Sequence, residues 1–260
     1  MKIKHLLCFI ALCLFFTPGK AQQLSVMTLR NGATVYIWED KSKPDVFGMI
    51  AFKVGSVDDP EQYTGLAHYL EHVMFKGTQT IDALDWEKEK PIYEKIIAKY
   101  DERAALSDPA AREAVDKEIN DLTREAAQYA AGNEFSLLVD HMGGQGLNAS
   151  TGYDQTEYHN SFPPSQLEKW LEIYSERLID PVFRGFQTEL EAVYEEYNMY
   201  NDDRGSRMRE FIYEQAFGDH PYARPIIGLP EHLKNPQLSK LIDFYNTWYG
   251  PQNMSIILVG

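Results

Sequence analysis

Cysteine is almost absent from this chain, and it sits where a folded protein makes least use of it. Of 260 residues only two are cysteine, Cys8 and Cys13, and both fall in the opening stretch MKIKHLLCFIALCLFFTPGKAQQ. There Lys2 and Lys4 precede an apolar run from Leu6 to Phe16, and Gly19 and Ala21 precede a cleavage point. That is the pattern of a secretory signal peptide over residues 1–21, its apolar run too short to span a membrane as a helix. Neither cysteine follows the small residues of a lipoprotein cleavage site. The mature chain, 22–260, is therefore predicted to be exported, periplasmic or secreted, with no disulfide, no thiol nucleophile and no thiolate metal ligand.

Positive charge is also scarce. The chain has 25 Lys+Arg against 39 Asp+Glu, a net charge of −14, and losing the leader removes three lysines and no acid, which takes the mature chain to −17. Such a balance argues against binding nucleic acid or anionic membranes. The acid excess reads as solvated faces, with a bias toward basic peptides as its alternative. No later apolar run is long enough for a membrane span, and no internal repeat or low-complexity tract is visible.

What is present alternates between strand and helix patterns. VMTLRNGATVYIWED predicts a hairpin turning at Asn31-Gly32, DVFGMIAFKVGS (45–56) a third strand, and Gly65 to Phe75 a buried helix. Residues 81–131 turn into two charged helices split at Ser107-Asp108-Pro109, an αα-hairpin inserted at about 79–132. A second hairpin follows around Thr151-Gly152, then helices at about 164–179, 186–202, 205–217 and 237–249, and a last strand, NMSIILVG. Hairpins interspersed with helices predict an α+β fold with a largely antiparallel sheet.

Within the buried helix, GLAHYLEHVMFKGT holds His68 and His72 one turn apart, with Glu71 on the adjacent flank. This is the HExxH zinc arrangement read backwards. Zinc in catalytic sites takes three protein ligands plus water, and a neighbouring carboxylate then collects the water's proton. Two histidines hydrogen-bonded on a helix face are the bland alternative, and a third ligand would decide between them. In FQTELEAVYEEYNMYNDD, Glu189, Ala192, Val193 and Glu196 form a single stripe with carboxylates at both ends, whereas Glu195 falls off it toward solvent. The remaining histidines, His141, His159, His220 and His232, read as structural or surface groups.

These segments resemble the inverted-zincin metallopeptidases, the family of pitrilysin, insulin-degrading enzyme and the mitochondrial processing peptidase. GLAHYLEHVMFKGT is similar to their zinc helix, which implies metal ligands His68 and His72 and general base Glu71. ELEAVYEE resembles their second signature and implies Glu196 as third ligand to one Zn²⁺, with Glu189 as the carboxylate supporting the ligands. LNAST resembles the edge strand that receives extended substrate, which implies backbone pairing of a peptide or unfolded segment at Asn148 and Ala149. HPYARPIIG and YGPQNMSIILVG match later landmarks. The interval from His72 to Glu196 is longer than is usual in the family, and the helical hairpin accounts for it. Family members also continue past the point corresponding to Gly260 into a second half-domain. The resemblance thus implies the catalytic half-domain of an exported, bacterial-type zinc endopeptidase that needs a second half-domain or partner subunit for full activity. A non-catalytic scaffold subunit of the same fold is the alternative, and a purely structural zinc site a third reading, disfavoured by the missing fourth ligand.

Overall fold

The computed structural model describes residues 24–260; the predicted signal peptide, 1–21, and both cysteines lie outside the described residues. Six strands form one sheet: β1 (Leu24–Thr28), β2 (Thr34–Trp38), β3 (Val46–Phe52), β4 (Gln145–Thr151), β5 (Thr156–Phe162) and β6 (Met254–Val259), in the spatial order β1-β2-β6-β3-β5-β4. Among the described residues nine helices accompany them: α1 (Leu66–Val73), α2 (Trp86–Ala105), α3 (Pro109–Ala126), α4 (Glu134–His141), α5 (Leu167–Ile179), α6 (Phe186–Asp202), α7 (Arg204–Phe217), the single-turn α8 (Pro230–Leu233) and α9 (Leu238–Trp248).

The fold is α+β, and every neighbouring strand pair is antiparallel except β2 with β6, which run parallel from Thr34↔Ser255 to Trp38↔Val259. The first hairpin differs in detail from its expected tight turn. Only Gly32 of the Asn31-Gly32 pair takes a positive φ, +99°, and the connection is closed by Leu29 donating to the Ala33 carbonyl at 2.8 Å. Helix α4, like the single-turn α8, is left unassigned by the sequence reading. Eight residues with Phe135 and Val139 buried are too few to show a periodicity apart from their setting.

One face of the sheet carries the core. Ile50, Phe52, Tyr158 and Phe162 alternate inward from β3 and β5 and meet Trp170 and Tyr174 of α5. Asn160, fully buried in that layer, accepts from Trp170 Nε1 and Tyr174 Oη, each at 2.7 Å, so its burial is compensated.

Helix α1 lies in the middle of this layer. Its start is set by two glycines that let backbones touch: Gly65 and Gly228 have φ of +91° and +92°, and a Cβ on either would come within 2.6 Å of the other segment's carbonyl. Asp59, 4% exposed, accepts from the amides of Gly65 (2.7 Å) and Ala67 (2.9 Å) at the helix N-terminus. At the other end Arg177 Nε donates to the Met74 carbonyl at 3.0 Å. The Arg177 guanidinium is held among the rings of Phe75, Phe135 and Tyr158, 4.2–4.6 Å from their centroids.

The charged hairpin forms as its caps dictate. Asp85 and Asp108 each accept from an amide three residues on, and Pro109 opens α3. It attaches to the body through Ile92, Ile96, Tyr100, Val115 and Ile119. A buried bidentate pair, Arg184 with Glu89 at 2.6 and 2.8 Å, anchors its base.

Candidate metal centre

Six of the eight residues of α1 are buried, because sheet, α6 and the 225–233 segment surround it; Glu71 and His72 remain half-buried at one side. That side faces α6, and the Tyr69 hydroxyl binds the two helices by donating to the Phe186 carbonyl. The consequence is a cluster of nitrogen and oxygen donors at a single point. His68 Nε2 lies 3.6 Å, and His72 Nε2 3.5 Å, from Glu196 Oε2. Among the described residues, His68, His72 and Glu196 are the group of His, Cys, Asp or Glu whose ligand atoms fall within 4.8 Å of one another.

These spacings suit a tetrahedral ion. Bonds of about 2.0–2.2 Å at tetrahedral angles put neighbouring ligand atoms roughly 3.4 Å apart. The protonation tendency is also right for one ligand, since burial, with help from the neighbouring His72, pushes His68 down to about 3 and leaves it a neutral imidazole. His72 behaves otherwise. Burial pulls it down, but the hydrogen bond to Glu189 and the charges of Glu71, Glu196 and Glu189 outweigh that and hold it above the usual histidine value.

Glu189 stands behind His72. Its Oε2 is 3.4 Å from His72 Nδ1, on the opposite side of the ring from Glu196, and its Oε1 is 2.5 Å from Lys76 Nζ. Burial raises the Glu189 carboxyl, but these two donors outweigh it and hold the group below the ordinary glutamate range. Glu71 is pushed upward by burial, against the pull of a hydrogen bond from Thr151. Glu195 is exposed and takes no part in the cluster.

Beside the cluster opens a cleft of about 410 Å³, lined by His68, Glu71 and Glu196 on one wall and by Ala149, Ser150 and Thr151 of β4 on another. Strand β4 is the last in the sheet; Asn148 is exposed and Ala149 buried, paired to His159 and Tyr158 of β5. Helix α7 closes the cleft with Arg209 and with Tyr213, whose ring stacks on Tyr153 at 5.4 Å. Sequence reading missed Lys76, Thr151, Tyr153, Arg209 and Tyr213. Two of these had a signal: Lys76 is one turn beyond His72, and Thr151 shares the β4 face of Ala149. The four histidines read as structural are outside the cluster; His232 Nδ1, for example, is 2.8 Å from the Thr64 hydroxyl.

Comparison with known proteins places this geometry in a family. The family model for insulinase (Peptidase family M16) matches residues 34–90 and 119–229. The chain belongs to that family. The match is interrupted over 91–118, the distal part of the α2–α3 hairpin. Zinc protease PqqE of Helicobacter pylori is 25% identical over 238 residues, 90% of this chain and 42% of that protein. The fold is shared with the first half of the periplasmic protease PqqL from Escherichia coli (TM-score 0.67, 24% identity, 92% of this chain and 43% of that one). Pitrilysin shares it too (TM-score 0.65, 21% identity, 93% and 21%). The chain spans 36–42% of the length of curated relatives such as PqqE and the mycobacterial zinc proteases it matches.

Proposed function

We propose that this M16 chain is the metal-binding half-domain of a zinc endopeptidase that hydrolyses peptides held in extended conformation, with one zinc on His68, His72 and Glu196. The observation that carries the reading is the convergence of those three ligand atoms within 4.8 Å of one another, beside a carboxylate, Glu71, in one open cleft. Zinc bound there would supply Lewis acidity toward water and toward the scissile carbonyl. The chain's own residues do the rest. Glu71 accepts the proton of the attacking water and returns it to the leaving amine. Glu189 orients His72 through Nδ1 and is itself fixed by Lys76. The outer edge of β4, the last strand of the sheet among the described residues, pairs at Asn148 and Ala149 with the backbone of the substrate, which gives affinity without demanding a particular side-chain sequence.

Two further parts of the reading concern what surrounds this half. A second half-domain or partner subunit would complete the chamber, a reading supported by the share of its relatives' length that the chain spans. Export to the periplasm or beyond is supported by the 1–21 leader and by a structural relative described as periplasmic. No helix among the described residues is long and apolar enough to cross a membrane. The scaffold alternative would go with a lost ligand, and none of the three is lost.

The test pairs metal analysis with turnover. His68→Ala and His72→Ala should each lose the stoichiometric zinc that the parent carries through gel filtration. Glu71→Gln should keep it while hydrolysis of a quenched fluorescent peptide, measured with the partner half supplied, falls by about 10²-fold or more. Full zinc in both histidine variants, or full activity in Glu71→Gln, would overturn the reading.

A further inference from the structure

The Glu71 carboxylate has one hydrogen-bond donor among the described side chains. Thr151 Oγ1 donates to Glu71 Oε2 at 2.6 Å, across 80 residues of sequence. The donor is well placed to hold a direction. Threonine is stiff at χ1, and Thr151 ends β4 in register with Thr156 of β5. The turn that follows is bonded down on its far side: the amides of Ser56 and Val57 donate to the carbonyls of Gly152 and Tyr153, each at 3.1 Å. Gly55 lies so close to that turn that a Cβ there would sit 2.4 Å from the Tyr153 carbonyl oxygen.

The same 55–59 loop continues to Asp59, whose two oxygens hold the N-terminus of α1. Strand end, loop and helix start therefore form a short closed ring, and the Thr151–Glu71 hydrogen bond is its last link. A glutamate has three rotatable bonds and, without such a link, samples many orientations. A base must lie within about 2.6–3.2 Å of the proton it removes. With one acceptor site of Oε2 engaged by the hydroxyl, Oε1 keeps both of its own for water.

We propose that Thr151 is a positioning residue: its hydroxyl fixes the Glu71 carboxylate relative to β4, so that the base and the strand that carries the substrate move as one body. This rests on the reading of Glu71 as base and of β4 as the substrate edge. The hydroxyl contributes to turnover through Glu71 and leaves both metal binding and substrate pairing untouched, since Asn148 and Ala149 pair through their backbone.

Thr151→Val keeps the shape and removes the donor, and Thr151→Ser restores the donor. In the protein with its partner half present, Thr151→Val should lower kcat about 10- to 100-fold with KM and bound zinc unchanged, while Thr151→Ser recovers most of the rate. Added to Glu71→Gln, Thr151→Val should slow turnover no further. A readout free of turnover is the carboxyl ¹³C resonance of Glu71 in this chain, assigned by its loss in Glu71→Gln: it should move in Thr151→Val and return in Thr151→Ser. A parent-like kcat in Thr151→Val, an unmoved resonance, or an undiminished effect in the Glu71→Gln background would each overturn the proposal. Failure of the base assignment itself would look different, because Glu71→Gln would then remain active whatever the Thr151 variants do.

Discussion

Helix α1 and the α2–α3 hairpin are built on opposite terms. Of the eight residues of α1 six are buried; of the twenty in α2 four are, and of the eighteen in α3 two. An eight-residue helix is too short to hold itself together in water, and α1 has no side-chain cap from its own Ncap residue. It is helical because its neighbours enclose it. The hairpin helices are long, capped by Asp85 and Asp108, and cross-linked by Lys99, which pairs with Glu102 of α2 and Glu118 of α3. Ile92, Ile96 and Tyr100 recur every four residues as one narrow apolar stripe. Two of the three clustered metal-ligand candidates, His68 and His72, thus lie on the element that depends most on tertiary structure, and the stretch the family model passes over lies in the element that depends least on it.

The sharpest way to break this contrast is through the ends of α1. Burial pushes the Asp59 carboxyl up to about 7, against the pull of the Ala67 and Gly65 amides and the Arg224 guanidinium and with a small push from Asp58. A folded value above the unfolded one, 3.8, means that the folded chain keeps the proton longer. Its stabilisation is present in full below about pH 4 and is lost as pH rises to about 7, an offset worth several kcal/mol. Urea unfolding at a series of pH values should show this fall in the parent and a flatter profile in Asp59→Asn; parallel profiles would contradict it.

Next in size is Arg177→Ala, which removes the donor to the Met74 carbonyl and empties the aromatic cage. It should cost about 3 kcal/mol or more in denaturant unfolding and weaken zinc binding with it, since α1 loses its lower support. Glu189→Gln should act on the metal and spare the fold. Zinc affinity, measured by competition with a chelator, should drop about 10- to 100-fold with the unfolding midpoint of the metal-free chain little changed. The smallest effect belongs to the hairpin. Asp108→Ala removes the α3 cap and should cost about 1 kcal/mol without altering zinc affinity. A change in zinc affinity there would mean that the hairpin is coupled to the site.

Much of this arrangement is legible before folding, and the reason is range. Facing relations inside one element follow from its own period. His68 and His72 share a helix side, Glu189 and Glu196 share another, Glu195 falls away, and the Pro109 break with its Asp108 cap parts two helices. Neither α4 nor the parallel β2–β6 pair has such a local mark. The first is too short, and the second depends on a strand arriving from α9 being received between β2 and β3.

Contacts across long separations belong wholly to the tertiary structure. The sequence by itself determined which side chains α1 and α6 bring to the cluster. Packing decided that Nε2 of His72 turns to Glu196 while Nδ1 turns to Glu189, that Lys76 fixes Glu189, and that Thr151 reaches Glu71. A side chain's own period says which way it points along its element. What it meets there depends on strand order, helix crossing and the burial of α1, none of which is encoded within a single turn.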